Sequence, residues 1–194
     1  LGWGKKQGGE DDGFAFTDYN VVTNAWHYAA LKQMEGIAGA LGKQDDVAFY
    51  ASESDAFKKR FIRSFFDVRK GYFTDGLAAD TDHASLHGNM FPLAFDLVPA
   101  GKKQNVVDFI QTRGMACSVY GSQFLMDALY EANDAEYALH MLTKTDDRSW
   151  YNMIRVGSTI SLEAWDNKYK PNQDWNHAWG AAPAHIIPRR LLGV

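Results

Sequence analysis

Glu163 lies in the run Gly157-Ser158-Thr159-Ile160-Ser161-Leu162-Glu163-Ala164-Trp165-Asp166, and fourteen residues later His177 follows within Asp174-Trp175-Asn176-His177-Ala178-Trp179-Gly180. These segments place a carboxylate, an imidazole and three indoles in stretches too polar and too turn-rich to be plain core. Flat aromatic rings stack on the C–H faces of sugars, and a carboxylate among them can do acid or base work at a glycosidic carbon. On this reading Glu163 is a general base that activates water and Trp165 is a platform. The competing reading is a surface glutamate in a turn. His177 stands at the entrance to the last helix. It either hydrogen-bonds a sugar hydroxyl or orients Glu163, or else it pins a loop at a helix start.

Other residues offer weaker chemistry. His83 and His87 are spaced i, i+4, so one face of a helix start would present two imidazoles, either to a substrate or to internal partners. A zinc-protease pattern needs Glu after the first histidine, and Ala84 stands there. No third ligand follows at metal spacing, so neither a metal nor a cofactor is expected. Asp18 or Asn20 caps the first helix. Asn24, Trp26 and His27 just beyond cannot all face the core, so some polar groups here could reach a pocket. Cys117-Ser118 lacks any nucleophile-elbow or cysteine-protease context and reads as a buried thiol. The glycines at positions 2, 4, 8 and 9 follow no strand, which argues against a nucleotide loop.

Helical elements must position these groups. Residues 1–18 read as a Gly- and acid-rich loop. A first helix carries Val22, Trp26, Ala30, Met34, Ile37 and Leu41 on one stripe and stops at Gly42. A second, capped by Asp45 or Asp46, carries Phe57, Phe61 and Phe65. The stretch 71–76 reads as a turn-rich loop. A third helix spans about 85–97, with Pro92 tolerable only in its first turn or at a kink. Further helices are expected over 102–112, 120–132, 134–142, 149–155 and 179–192, with 158–162 the best extended piece. Long polar loops (77–85, 113–119, 143–149, 156–178) alternate with short ones. Hairpins with long loops at one end suggest an all-α fold, an α/α toroid whose site lies where those loops meet. Twelve helices need roughly 300 residues; seven or eight are expected here, so part of the ring is present. Its unclosed face would self-associate or take a partner segment.

The bulk properties fit one domain of 194 residues with 46% apolar residues and a net charge of −4. No basic block is available for nucleic acid, and no apolar run is long enough to span a membrane. The first residues do not form a signal peptide. The single Cys117 excludes an internal disulfide. The start at Leu1 reads as a truncated or processed end.

These residues also resemble a known family. The run Gly157–Asp166, then Asn176-His177-Ala178-Trp179-Gly180, then Leu191-Leu192-Gly193-Val194, is similar to the end of the catalytic domain of α-L-rhamnosidases of glycoside hydrolase family seventy-eight. That family pattern is a Gly-Ala-Thr-Thr run ending in Trp-Glu-x-Trp-Asp, then Asn-His, then a closing helix. Gly71-Tyr72, the run His83 to Ala94 and Tyr120-Gly121-Ser122-Gln123 fit as well. So does the segment from Asp18 to Tyr28, and the likeness covers nearly the whole chain.

The resemblance implies an (α/α)6 barrel that hydrolyses terminal α-L-rhamnosides with inversion. It implies Glu163 as general base and His177 as a sugar-binding histidine. His83, His87, Trp165 and Trp179 are candidates for the sugar site, with Asp166 supporting the base. Leu162 replaces an aromatic residue that the family commonly has there. The family's general acid stands in an upstream motif that ends in Leu-Gly-Trp; Leu1-Gly2-Trp3 echoes only that end. Inversion needs two carboxyls about 6.5–9.5 Å apart, so this chain would supply the base and not the acid. Two alternatives remain open: an (α/α)6 hydrolase or lyase for another sugar, and a carbohydrate-binding or structural helical domain without catalysis.

Overall fold

The computed structural model describes residues 10–194. The Gly-rich start, including Leu1-Gly2-Trp3, lies outside the described residues. Asn20, rather than Asp18, starts the first helix: its side chain accepts the Thr23 backbone N–H at 2.9 Å. Helix α1 (Val21–Ala40) then runs to a stop at Leu41-Gly42, where Gly42 takes the left-handed φ of 71° that ends it. Helix α2 (Gln44–Phe65) folds back on α1. Asp45 and Asp46 lie inside its first turn, where they suit the helix dipole, and neither caps it.

The turn-rich stretch after α2 holds a short ribbon. Strand β1 (Phe66–Asp67) pairs antiparallel with β2 (Tyr72–Phe73), Phe66 opposite Phe73, and Gly71 makes the reversal at φ 82°. Helix α3 (His87–Ala94) is shorter than expected. Pro92 is its sixth residue, in the interior and not the first turn, and the helix ends two residues later. Helices α4 (Lys103–Arg113), α5 (Ser122–Glu131), α6 (Ala135–Thr143) and α7 (Trp150–Arg155) follow near their expected places.

The last expected helix is broken into pieces. Ala178–Gly180 is a single 3-10 turn, α8 spans Ala182–Ile186, and Ile187–Leu192 widens into π-type turns. Pro188 brings no N–H to the ladder, which is where a regular α-helix would fail.

Helices α1, α3, α5 and α8 pack side by side in that order, while α2, α4 and α6 lie behind α1, α3 and α5. That is an inner row backed by an outer row, the arrangement of an α/α toroid. Met90, Ile110, Leu125, Met126 and Leu129 are fully buried among these helices. Eight α-helices are present among the described residues, and no extensive packing joins α8 back to α1.

The apolar stripe on α1 is not the face this chain buries. Val21, Ala25, Tyr28 and Ala29 are buried, whereas Trp26, Met34 and Ile37 are exposed and Leu41 is 66% exposed. The helix is apolar on two faces, so periodicity alone could not say which one these neighbours cover. No helix among the described residues is long and apolar enough to cross a membrane.

Candidate active site

The loops that enter the inner helices are tied to one another. The start of α1 bridges to the loop before α3 at Asn20 and Gly76, and the Val21 N–H donates to the Asp75 carbonyl at 2.8 Å. Asp12 accepts the Leu86 N–H at 2.6 Å and the Arg113 Nε–H at 2.8 Å, joining the chain before α1 to the entrance of α3 and the end of α4. Trp165 Nε1 donates to the Cys117 carbonyl at 2.8 Å, tying the loop before α8 to the loop before α5. The chemistry-bearing loops therefore gather at one end of the inner row.

Within that end, 161–164 and 173–177 form an irregular antiparallel pair. The Glu163 N–H donates to the Asp174 carbonyl at 3.1 Å, and the His177 N–H donates to the Ser161 carbonyl at 2.9 Å. Ser161 Oγ donates to the His177 carbonyl at 2.7 Å, and the Ala164 N–H donates to Gln173 Oε1 at 2.9 Å. Glu163 and His177 thus come from facing segments of one hairpin.

Gly180 closes the hairpin's base. A Cβ there would lie 2.7 Å from the Leu162 carbonyl oxygen and 2.7 Å from Ser161 Cβ, atoms that cannot swing aside. Gly180→Ala should cost about 1–3 kcal/mol through overpacking, read as a lower midpoint in urea unfolding.

Glu163 Oε1 pairs with Lys170 Nζ, and Oε2 accepts the Asp174 N–H at 3.0 Å. The Lys170 ammonium first, then the Asp174 N–H and the nearby His177, hold its carboxyl below the usual carboxylate range. It is an ionised group at neutral pH, the state a base requires. His177 Nδ1 accepts the Trp179 N–H at 3.3 Å, and the two rings lie 4.3 Å apart. Trp179 is 51% exposed, so one side of its ring is open.

From there a path of rings crosses the inner row. Trp179 meets Tyr120 at 5.3 Å, Tyr120 meets Phe124 at 6.0 Å, and Phe124 meets Phe91 and Trp26 at 5.3 and 5.1 Å. His87 joins its far end at 6.3 Å from Phe91.

Three expected members are placed differently. Trp165 is 0% exposed, edge-on to Trp150 at 5.2 Å, so it is core and offers no platform. Asp166 does not reach Glu163. Its Oδ2 accepts from Asn152 at 2.9 Å and its Oδ1 accepts the Lys168 N–H at 3.1 Å. Burial opposes its charge, and those two donors still keep its carboxyl below the usual range.

His83 lies outside α3, so it and His87 do not share a helical face. His83 Nδ1 sits 2.6 Å from Oδ2 of the buried Asp75, whose Oδ1 accepts from the Ser85 N–H and hydroxyl at 2.9 and 2.7 Å. The His87 Nδ1 is sealed from solvent without a hydrogen-bond partner among the described residues. Burial lowers its pKa against the pull of Asp12 and Asp75, which favours the neutral ring. Neither histidine bonds to Glu163. Cys117 is the buried thiol expected from its context, with its pKa pushed up by that burial.

Lys170, Asp75 and Tyr120 carry much of this geometry and are not marked as site groups by the sequence alone. Tyr120 stands in the Tyr-Gly-Ser-Gln motif, which is a signal. Lys170, seven residues past Glu163 in an irregular loop, gave none.

The comparisons with known proteins agree with this architecture. A structural match to an α-L-rhamnosidase from Dictyoglumus thermophilum has a TM-score of 0.72 at 22% identity, covering 85% of this chain and 19% of that one. One to an α-L-rhamnosidase from Aspergillus terreus has 0.74 at 19% identity, covering 94% and 22%. A rhamnosidase from Klebsiella oxytoca with rhamnose bound gives 0.73 at 16% identity, covering 90% and 34%. The chain thus spans between about a fifth and a third of the length of these solved relatives. At such identities the likeness speaks for the fold alone. A search of curated proteins gives no match. The model of the bacterial alpha-L-rhamnosidase six-hairpin glycosidase domain matches residues 1–191, and the chain belongs to that family.

Proposed function

We propose that the complete polypeptide hydrolyses terminal α-L-rhamnosides with inversion, and that this chain supplies the general base, Glu163. One observation carries the reading: an ionised carboxylate is fixed by Lys170 and Asp174 beside His177 and the open ring of Trp179. Trp179 and Tyr120 supply the stacking surface, His177 a hydrogen bond to a sugar hydroxyl, and Glu163 takes the proton from water as it attacks the anomeric carbon. His83, held by Asp75 and partly exposed, belongs to the sugar site in this reading, whereas the His87 Nδ1 is buried away from solvent. The leaving oxygen needs a proton from a second carboxylic acid, which this chain does not contribute. Alone it should be nearly inactive.

Incubating the complete polypeptide with an aryl α-L-rhamnoside tests this. Proton NMR should show β-rhamnose as the first product. First appearance of α-rhamnose would refute inversion, and absence of any cleavage would favour a carbohydrate-binding domain.

The exposed α1 stripe belongs to the same proposal. In the complete polypeptide a further helix covers Met34, Ile37 and Leu41; in the isolated chain a second copy does. Sedimentation should show self-association, and Ile37→Glu with Leu41→Glu should shift it to monomer. A monomeric parent chain would overturn that expectation.

A further inference from the structure

His83 is held by a buried partner, Asp75, that takes no part in the reaction itself. Asp75 is 0% exposed, and hydrogen-bond donors converge on both of its oxygens. Oδ1 accepts the Ser85 N–H at 2.9 Å and the Ser85 hydroxyl at 2.7 Å, while Oδ2 accepts the Ala15 N–H at 2.9 Å. The Gly88 N–H donates to the Ser85 hydroxyl oxygen at 3.0 Å, so the hydroxyl hydrogen turns to Asp75. A carboxylate offers only acceptors. The remaining partner, His83 Nδ1 at 2.6 Å from Oδ2, therefore also comes as a donor. The neutral ring then keeps its lone pair on Nε2.

The ring is also fixed through its backbone. The Asp75 N–H donates to the His83 carbonyl at 2.9 Å, and the His83 N–H donates to Thr81 Oγ1 at 3.1 Å. The His83 side chain is 34% exposed, and its only ring hydrogen bond among the described residues is the one through Nδ1. An open aromatic ring stands on the segment that shares the carboxylate. The Ala15 N–H on Oδ2 leads directly to Phe16, which is 72% exposed and meets Phe14 edge-on at 4.9 Å. An acceptor nitrogen and an exposed ring are what a sugar unit takes, a hydroxyl donating to the first and a C–H face stacking on the second.

This pair stands apart from Glu163. Helix α5 separates α3, which the His83 loop enters, from α8, which the Glu163 hairpin enters. Neighbouring helices pack about 8–10 Å apart, so a rhamnose held at Trp179 leaves His83 and Phe16 to another unit of the substrate. Because the rhamnose is terminal, that unit is the leaving group. We propose that His83 Nε2 and Phe16 bind a leaving-group sugar, with Asp75 the positioning residue that sets the His83 tautomer, and hence that the substrate is a rhamnosyl saccharide. The inference rests on rhamnoside hydrolysis by the complete polypeptide and not on which residue is its base.

The test titrates the complete polypeptide carrying Glu163→Gln, which holds substrate uncleaved, by calorimetry. The ligands are an α-L-rhamnosyl-glucose disaccharide and methyl α-L-rhamnoside. The disaccharide should bind more tightly, and His83→Phe should weaken it about tenfold more than it weakens the methyl glycoside, the worth of one hydrogen bond. Phe16→Ala should act in the same direction. Equal weakening of both ligands would put His83 at the rhamnose, and no weakening of either would remove it from the site; each result overturns the proposal. If methyl α-L-rhamnoside does not bind at all, the rhamnosidase reading fails and takes this proposal with it. Cleavage during the titration would count against Glu163 as the base alone, and the same comparison is then read in kcat/KM.

Nitrogen NMR reads the role of Asp75 without any activity. In the parent, the neutral His83 ring should carry its proton on Nδ1, and the Nε2 resonance should move when the disaccharide is added. A proton on Nε2 would overturn the positioning role. Asp75→Asn should shift the proton to Nε2 and weaken the disaccharide as His83→Phe does. A lower melting temperature with tautomer and binding kept would make Asp75 a structural residue only. If Asp75→Asn does not fold, the parent spectrum decides.

Discussion

Glu163→Gln in the complete polypeptide should lower kcat on an aryl α-L-rhamnoside by about 10²–10⁴-fold, the usual worth of a positioned base. KM should stay near the parent value, because the amide keeps the shape and can still accept the Asp174 N–H. What is lost is the capacity to take a proton from water. Glu163→Ala adds a sharper reading, since azide is a nucleophile that has no proton to lose. If Glu163 activates water, azide should restore turnover in the Ala variant and yield a β-rhamnosyl azide. A sugar-binding glutamate would show a raised KM and no rescue.

The pH dependence has a definite sign. Lys170 and the Asp174 N–H favour the Glu163 anion, so the acid limb of kcat/KM should lie below the ordinary glutamate value of 4.5. Lys170→Met removes the larger support and should move that limb upward. A limb that stays in place would separate Lys170 from the base.

The helices were legible because their signals are local. Asn20 caps α1 as one of two expected candidates, and the helices expected over 102–112, 120–132, 134–142 and 149–155 form near those bounds. The hairpin of 161–164 with 173–177 was legible only in part, as an extended piece over 158–162 followed by polar loop, since its pairing rests on irregular bonds such as the Gln173 side chain to the Ala164 N–H. Which face a helix buries is a tertiary fact. The stripe of α1 shows this: its first half, Val22 and Trp26, meets the core and the rings of Phe91, Phe95 and Phe124, whereas Met34, Ile37 and Leu41 stay exposed. The same holds for ion pairs between distant residues: Arg113 and Asp12 are 101 positions apart, and no spacing rule connects them.

Trp165 is the instructive displacement, and it carries the second large effect. An indole beside a candidate base reads as a sugar platform, yet this one is fully buried against Trp150 and donates to the Cys117 carbonyl. Trp165→Ala should therefore destabilise the fold by about 3–5 kcal/mol, from lost apolar burial plus the cavity left behind. In a domain of this size that lowers the melting temperature by roughly 6–20 °C. Trp165→Phe separates packing from hydrogen bonding: it keeps most of the ring and leaves the Cys117 carbonyl without its donor, a loss of about 1–3 kcal/mol.

A platform would behave otherwise. Trp165→Phe would then raise KM with little change in melting, because stacking acts on the bound sugar and not on the empty fold. Trp179→Ala is the matching control: its ring is half-exposed, so it should raise KM with a melting shift of a few degrees at most. If Trp165→Ala melts like the parent and binds substrate poorly, the burial argument fails and the platform reading returns.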